Sequence, residues 1–140
     1  MNADRILEDL YVGQKIDSES FRDELVRLGV THVLNLFEPE TIWEGNSLYL
    51  PQEDDGSPRV AAQVRCGLDY YAEVKAAKGV LYVHCQWGLG RAPAMCYALL
   101  RANGQREQEA LDTVNACRRV AAKYNPHWQR YIPSIESALK

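Results

Sequence analysis

Val80-Leu81-Tyr82-Val83-His84-Cys85-Gln86-Trp87-Gly88-Leu89-Gly90-Arg91 is the stretch on which the fold turns. Four apolar, largely β-branched or aromatic residues in a row, bounded before by Lys78-Gly79, predict a short central strand buried on both faces. Ala92 to Arg101 follows with helical apolar spacing and Pro93 in its first turn, where a missing N–H costs little. Between strand and helix, Gly88 and Gly90 let the backbone curl with its N–H groups turned inward. Successive inward amides ahead of a helix N-terminus form a cradle for an anion. Nothing acidic lies between His84 and Arg91, and the planar fork of Arg91 can grip two oxygens of a phosphate.

Away from this loop the chain keeps alternating strands and helices. Leu7 to Val12 reads as an edge strand closed by Gly13. Ser18 or Ser20 caps a helix running through Leu28, with Phe21, Leu25 and Leu28 on one face and Gly29 as its left-handed stop. Val30 to Phe37 reads as a buried strand, Pro39 to Asn46 as a loop, and Ser47 to Leu50 as a further short strand. Pro51 to Pro58 is acidic and rich in turn residues, hence irregular. Arg59 to Ala77 carries Val60, Val64, Leu68, Tyr71 and Val74 at helical spacing. Asn103-Gly104 breaks the chain, Glu107 to about Ala121 reads as one helix, and Trp128 to Leu139 as a last one interrupted near Pro133. The expected fold is a single α/β domain over residues 1–140, with a mostly parallel central sheet flanked by helices. Loops at the carboxyl ends of parallel strands are where ligands bind, and His84 to Arg91 is such a loop.

Bulk properties bound the function. A chain of 140 residues fits one domain with a full core. A formal charge of −3 supplies no basic field for a nucleic-acid polymer, so none is expected as a partner. The four cysteines form no C-x-x-C pair, so neither a metal site nor any cofactor is expected. The polar Met1-Asn2-Ala3-Asp4-Arg5 opening leads into no apolar segment, and no run is long enough to span a membrane. A reducing, cytoplasmic setting and a monomer are expected.

The cradle decides the chemistry. Cationic and dipolar neighbours favour the thiolate of Cys85. A thiolate facing bound phosphate points to in-line attack on phosphorus and a phosphocysteine intermediate. Charge then develops on oxygens at which the amides and Arg91 already point. The leaving oxygen needs a proton, and Asp54 in the acidic loop is the best donor, with Asp55 and Glu53 as rivals.

With these residues in view, the chain resembles the small dual-specificity group of the cysteine-dependent protein tyrosine phosphatases. His84 to Arg91 matches the H-C-x-x-G-x-G-R signature. Leu10-Tyr11-Val12-Gly13 resembles the family's opening strand, and Leu28-Gly29-Val30-Thr31-His32-Val33-Leu34-Asn35-Leu36 resembles its L-G-I-x-x-V-L-N strand. Asp54 lies 31 positions before Cys85, the family's usual place for the acid. Asn125, after Arg118-Arg119, resembles its Arg…Asn segment. The resemblance implies Cys85 as nucleophile, Arg91 as phosphate binder and Asp54 as general acid. It also implies phosphate-binding amides from Gln86, Trp87, Gly88, Leu89, Gly90 and Arg91, and a His84 that helps set the thiol's acidity. One departure is Ala92, where the family carries Ser or Thr, a hydroxyl that speeds breakdown of the phosphoenzyme.

The expected partner is a phosphorylated protein bearing phosphotyrosine, phosphoserine or phosphothreonine. The alternatives are a phosphoinositide, a phosphoglucan, an RNA 5′-phosphate, or a phosphate-binding module of low turnover. Sulfur transfer and arsenate reduction also use a cysteine anion loop, but commonly with other cysteine placements. Other residues are expected to be structural. Arg118 and Arg119 read as a solvated helix face or a basic rim, and Asn125 as a helix cap. Cys66, Cys96 and Cys117 read as small buried apolar groups, with bonding to Cys85 as an alternative for each. Trp43 and Trp128 read as packing residues, while Trp87 is placed to shape specificity.

Overall fold

The computed structural model describes residues 2–51 and 60–140. Its elements run β1 (Ala3–Leu7), β2 (Leu10–Gly13), α1 (Glu19–Arg27), β3 (His32–Asn35), β4 (Asn46–Tyr49), α2 (Val60–Ala76), β5 (Leu81–His84), α3 (Arg91–Ala102), α4 (Glu107–Cys117), α5 (Arg119–Tyr124), a 3-10 segment (Pro126–Tyr131) and α6 (Ile132–Leu139). One five-stranded sheet has the order β1-β2-β5-β3-β4. Among the described residues only β1 and β2 pair antiparallel; the β2–β5, β5–β3 and β3–β4 ladders are parallel.

The alternation of side chains along each strand divides the interior into two layers. Leu10, Val12, Leu34, Leu81 and Val83 face one way, into a large core completed by α2, α3, α4, α6 and the 3-10 segment. Val33 and Tyr82 face the other way, onto Phe21 and Leu25 of α1. α3 is the pillar of the larger layer: every residue from Ala92 to Leu100 is buried. Burying one such aliphatic or aromatic side chain contributes about 1.5–3 kcal/mol, so the sheet is sandwiched firmly on both sides.

Local signals explain most element ends. Ser18 caps α1, its hydroxyl accepting from the Phe21 amide at 3.1 Å. Gly29 stops that helix with φ +98°. Asn35 terminates β3: its side chain accepts from the Phe37 amide at 2.9 Å and donates to the Glu38 carbonyl. Buried polar groups need such partners, and these two fold the following loop back over the sheet end.

Several expectations need correction. Leu7 to Val12 is not one edge strand. The chain turns at Glu8-Asp9, Ala3–Leu7 takes the edge, and Leu10–Gly13 lies inside the sheet beside β5. The polar Asp4 and Arg5 conceal β1, because an edge strand buries only part of its surface. The strand expected from Val30 to Phe37 is regular only over His32–Asn35. The helix expected from Glu107 to Ala121 breaks at Arg118, which has φ −111° and ψ +69°. The last helix is a 3-10 turn followed by a short α-helix. Cys66, expected to be buried, is exposed.

Candidate active site

The strand register decides where Cys85 sits. His84 ends β5 opposite Gly13 of β2 and Asn35 of β3. The chain therefore leaves the sheet at its carboxyl edge between two parallel neighbours, and Cys85 is the first residue out. It lines a cleft of about 170 Å³ with Gln86, Trp87, Leu89, Gly90, Arg91 and Asn125. Gly90 is the N-cap of α3 and offers no side-chain cap, so the helix N-terminus opens onto this cleft.

The carbonyls of the loop are held from outside, one after another. His84 Nδ1 lies 3.1 Å from the Cys85 carbonyl oxygen. The Lys15 amide donates to the Gln86 carbonyl at 3.0 Å. Arg118 Nη2 donates to the Trp87 carbonyl and its Nε to the Gly88 carbonyl, both at 3.1 Å. Asn125 Nδ2 donates to the Leu89 carbonyl at 3.0 Å. Among the described residues no peptide bond is cis. In a planar trans peptide the C=O and N–H point opposite ways, so the amides of Gln86, Trp87, Gly88, Leu89 and Gly90 face away from these anchors, toward the cleft.

Two of the anchors are residues for which the sequence suggests other roles. Arg118 is neither a solvated helix residue nor a rim: it is 2% exposed. Its Nη1 pairs with Asp4 at 2.7 Å while the rest of the guanidinium grips the loop. The break between α4 and α5 turns this side chain inward. Asn125 stands at the N-terminus of the 3-10 segment, but its side chain makes no capping hydrogen bond there and is spent on Leu89. The only sequence signal for either was the Arg…Asn spacing of the resemblance.

Gly88 is required twice over. Its φ is +71°, a left-handed conformation, and a Cβ there would lie 2.5 Å from the Gly13 backbone and 2.7 Å from Arg118 Nη2. The loop and the end of β2 therefore touch backbone to backbone.

Arg91 is half-buried on the first turn of α3. Its Nη1 lies 3.5 Å from the Leu36 carbonyl, and its guanidinium sits 5.4 Å from the centre of the Phe37 ring. That stacking holds a planar cation beside the cleft. Ala92 is fully buried behind it and brings no hydroxyl to the site. Trp87 is 60% exposed and stands at the mouth. Trp43 donates from its indole to the Asn46 carbonyl at 3.1 Å, and Trp128 is fully buried in the core.

The remaining cysteines differ from Cys85 in environment. Burial pushes the Cys96 thiol well above the usual range, with Cys85 adding to the rise. Burial followed by the nearby Asp4 carboxylate raises that of Cys117. Both are kept as neutral thiols. Asp54, with its rivals Asp55 and Glu53, falls outside the described residues.

Known proteins share this sequence and architecture. Over 119 residues the chain is 31% identical to human Dual specificity protein phosphatase 1, a match covering 82% of this chain and 32% of that protein. The mouse protein of the same name gives the same figures. The chain thus spans about a third of the length of these relatives. Among solved structures, human DUSP28 superposes with a TM-score of 0.81 at 22% identity, covering 100% of this chain and 97% of the other. PTPMT1 in complex with PI(5)P superposes at 0.79 with 16% identity, covering 99% and 97%. No family model matches the chain. Sequence likeness across most of the chain, joined to a shared α/β fold, makes the chain similar to about a third of these dual specificity protein phosphatases.

Proposed function

We propose that this chain hydrolyses phosphate monoesters, with Cys85 as nucleophile and phosphorylated protein as the substrate. Its strongest support is the row of outward-anchored carbonyls from Cys85 to Leu89, which turns five successive amides toward the cleft that Cys85 lines. Such a ring is complementary to the equatorial oxygens of a phosphoryl group in transfer. The likeness to proteins named dual specificity protein phosphatases supports the same chemistry and the protein substrate.

The sulfur of thiolate Cys85 attacks phosphorus in line. An S–P bond forms, the ester P–O bond breaks, and the leaving oxygen takes a proton from Asp54, whose assignment comes from its spacing to Cys85. Arg91 and the amides of residues 86–91 balance the charge on the three non-bridging oxygens. Water then attacks phosphorus, giving a proton back to Asp54. The S–P bond breaks, and inorganic phosphate leaves with the thiolate restored. No redox partner or metal enters the balance. A cytoplasmic location and a monomeric state belong to the same proposal. Among the described residues no helix is long and apolar enough to cross a membrane.

Hydrolysis of an aryl phosphate by wild type and Cys85→Ser tests the activity. Phosphate release by wild type and none by the variant is expected; release that survives in Cys85→Ser, or none from wild type, overturns it. Asp54→Ala and Asp55→Ala, compared on esters with poor and good leaving groups, identify the acid. The true acid shows a large loss for the poor leaving group and a small one for the good. A panel of phosphopeptides, phosphoinositides and phosphoglucan then reads the substrate. The PTPMT1 likeness makes the lipid the arm to set beside the peptides. Preference for the lipid or the glucan would overturn the protein assignment and leave the chemistry standing.

A further inference from the structure

Beside the catalytic cleft lies a second cavity of about 240 Å³, and three of its wall residues tie it to the cleft. His84 immediately precedes Cys85. The Lys15 amide holds the Gln86 carbonyl at 3.0 Å. Phe37 carries the Arg91 guanidinium over its ring, 5.4 Å from the centre. A group seated in this cavity is a close neighbour of a phosphoryl group bound by the loop.

The cavity wall offers acceptors without a donor. His84 is 1% exposed. Its Nδ1 lies 3.1 Å from the Cys85 carbonyl oxygen. A carbonyl only accepts, so the ring bonds it with its proton on Nδ1 and presents a lone pair at Nε2. That nitrogen is sealed from bulk solvent and has no hydrogen-bond partner among the described residues. Facing it at 3.6 Å is Oε2 of Glu40, beyond hydrogen-bond reach and itself only an acceptor. Oε1 of the same carboxylate takes the Ile42 amide at 2.9 Å and the Trp43 amide at 3.0 Å, which fixes the group within its loop. Two firmly held acceptors converge, and a buried polar atom of this kind is normally completed by a partner. Charge selects that partner. Asp17, Glu38 and Glu40 line the cavity with three carboxylates against one ammonium, that of Lys15. Lys15 rests over the Phe37 ring, 5.9 Å from its centre. A cation with several N–H groups suits both the field and the two acceptors, whereas an anion is repelled.

We propose that this cavity receives a basic side chain, arginine or lysine, standing close in sequence to the phosphorylated residue of a protein substrate. The assignment rests on the phosphatase reading of the cleft and narrows its substrate class. The guanidinium or ammonium donates to Glu40 Oε2 and His84 Nε2. Glu40 balances its charge, helped by the exposed Asp17 and Glu38. Its methylene stem lies against Phe37 and Ile42, the apolar part of the same wall.

Rates on phosphotyrosine peptides test this, each peptide carrying one arginine at a single position before or after the phosphotyrosine and neutral residues elsewhere. Reference peptides carry glutamine or glutamate at the same position. In wild type at low salt, arginine at the preferred position is expected to raise kcat/KM roughly tenfold over glutamine, and glutamate to lower it. Glu40→Gln should shrink the advantage of arginine to within about twofold. Since Glu40 also holds its loop, the exposed Glu38→Gln is the second variant, and should cut the advantage by about twofold. The readout compares two peptides on one enzyme, so a general loss of activity cancels. Equal rates with arginine and glutamine at every position in wild type, or an advantage unchanged in both variants, would overturn the proposal. Equilibrium binding of the same peptides, bearing a non-hydrolysable phosphonate, to Cys85→Ser separates this from the activity. A roughly tenfold tighter arginine peptide with no phosphate release from wild type would count against the chemistry and leave the role of the cavity intact. Equal affinities would overturn that role.

Discussion

Arg118 Nε meets the Gly88 carbonyl at 3.1 Å, joining the break between two C-terminal helices to the middle of the loop from Cys85 to Arg91. The same guanidinium reaches Trp87's carbonyl and the Asp4 carboxylate, so a cation 2% exposed ties β1, the loop and the helical layer together. Arginine alone has the planar fork for this; a lysine ammonium carries its three donors on a single nitrogen and cannot span acceptors that Nε, Nη1 and Nη2 reach separately. Arg118→Lys is expected to lower kcat/KM on an aryl phosphate by about a hundredfold, because a misplaced donor in a preorganised site costs that order. Arg118→Ala leaves Asp4 without its buried partner and should cost about 3–5 kcal/mol in urea unfolding. A fully active Arg118→Lys would show that the loop holds its shape without the fork.

Gly88 tolerates nothing larger. A methyl group would need to occupy space 2.5 Å from Gly13's backbone, and backbone cannot step aside as a side chain tip can. Strain at φ +71° adds to the clash. Gly88→Ala should either fail to accumulate as folded protein or unfold with a midpoint lowered by several degrees. In both cases Cys85-dependent phosphate release should be lost.

Ala92 invites a gain of function. It is fully buried in the first turn of α3, directly after Arg91. Serine adds a single oxygen at the position where the resembled family keeps a hydroxyl for the thiolate. Ala92→Ser is expected to raise steady-state turnover several-fold, with a small cost in stability. Rapid-quench measurement of burst and steady-state phases checks it, and unchanged rates in both phases would contradict it.

Acid should unfold the protein through two carboxylates. Glu40 is held at about 2, below its ordinary 4.5, where its hydrogen-bond partners outweigh the opposing effect of burial. Glu136 is also lowered, first by its hydrogen bond from Arg101, whose Nε lies 2.7 Å away, and against burial. Tyr97 donates to the same carboxylate at 2.6 Å. A depressed carboxyl contributes stability in full above its unfolded-state value, and that contribution is lost as pH falls toward the folded one. The melting temperature should therefore hold down to about pH 4.5 and fall between there and about pH 2, the window set by Glu40. Glu40→Gln and Glu136→Gln should each start lower at neutral pH and lose less on acidification. Parallel pH curves for wild type and both variants would refute this.

The amino-acid sequence alone determined the class of fold and pointed to the loop on which the proposed chemistry rests. The apolar run from Val80 to Val83 placed a buried strand to within a residue of its observed span, Leu81–His84, and a cysteine, two glycines and an arginine between that strand and a helix read as an anion loop. These are local signals: periodicity, turn chemistry and a helix terminus all act within a few residues. What the tertiary structure decided is everything that depends on residues far apart in the chain. Arg118 sits 30 residues from Gly88 and 114 from Asp4, and nothing near it in sequence distinguishes a buried clamp from a solvated cation. Glu40 carries no motif at all. It faces His84 because Asn35 folds the following loop back across the end of a sheet in which β3 and β5 are neighbours. β1 was hidden because an edge strand needs no apolar alternation, and its place became visible only through its partner. Propensity acts along the chain, but the direction of a buried charge is chosen by whichever oxygen the folded chain brings within reach.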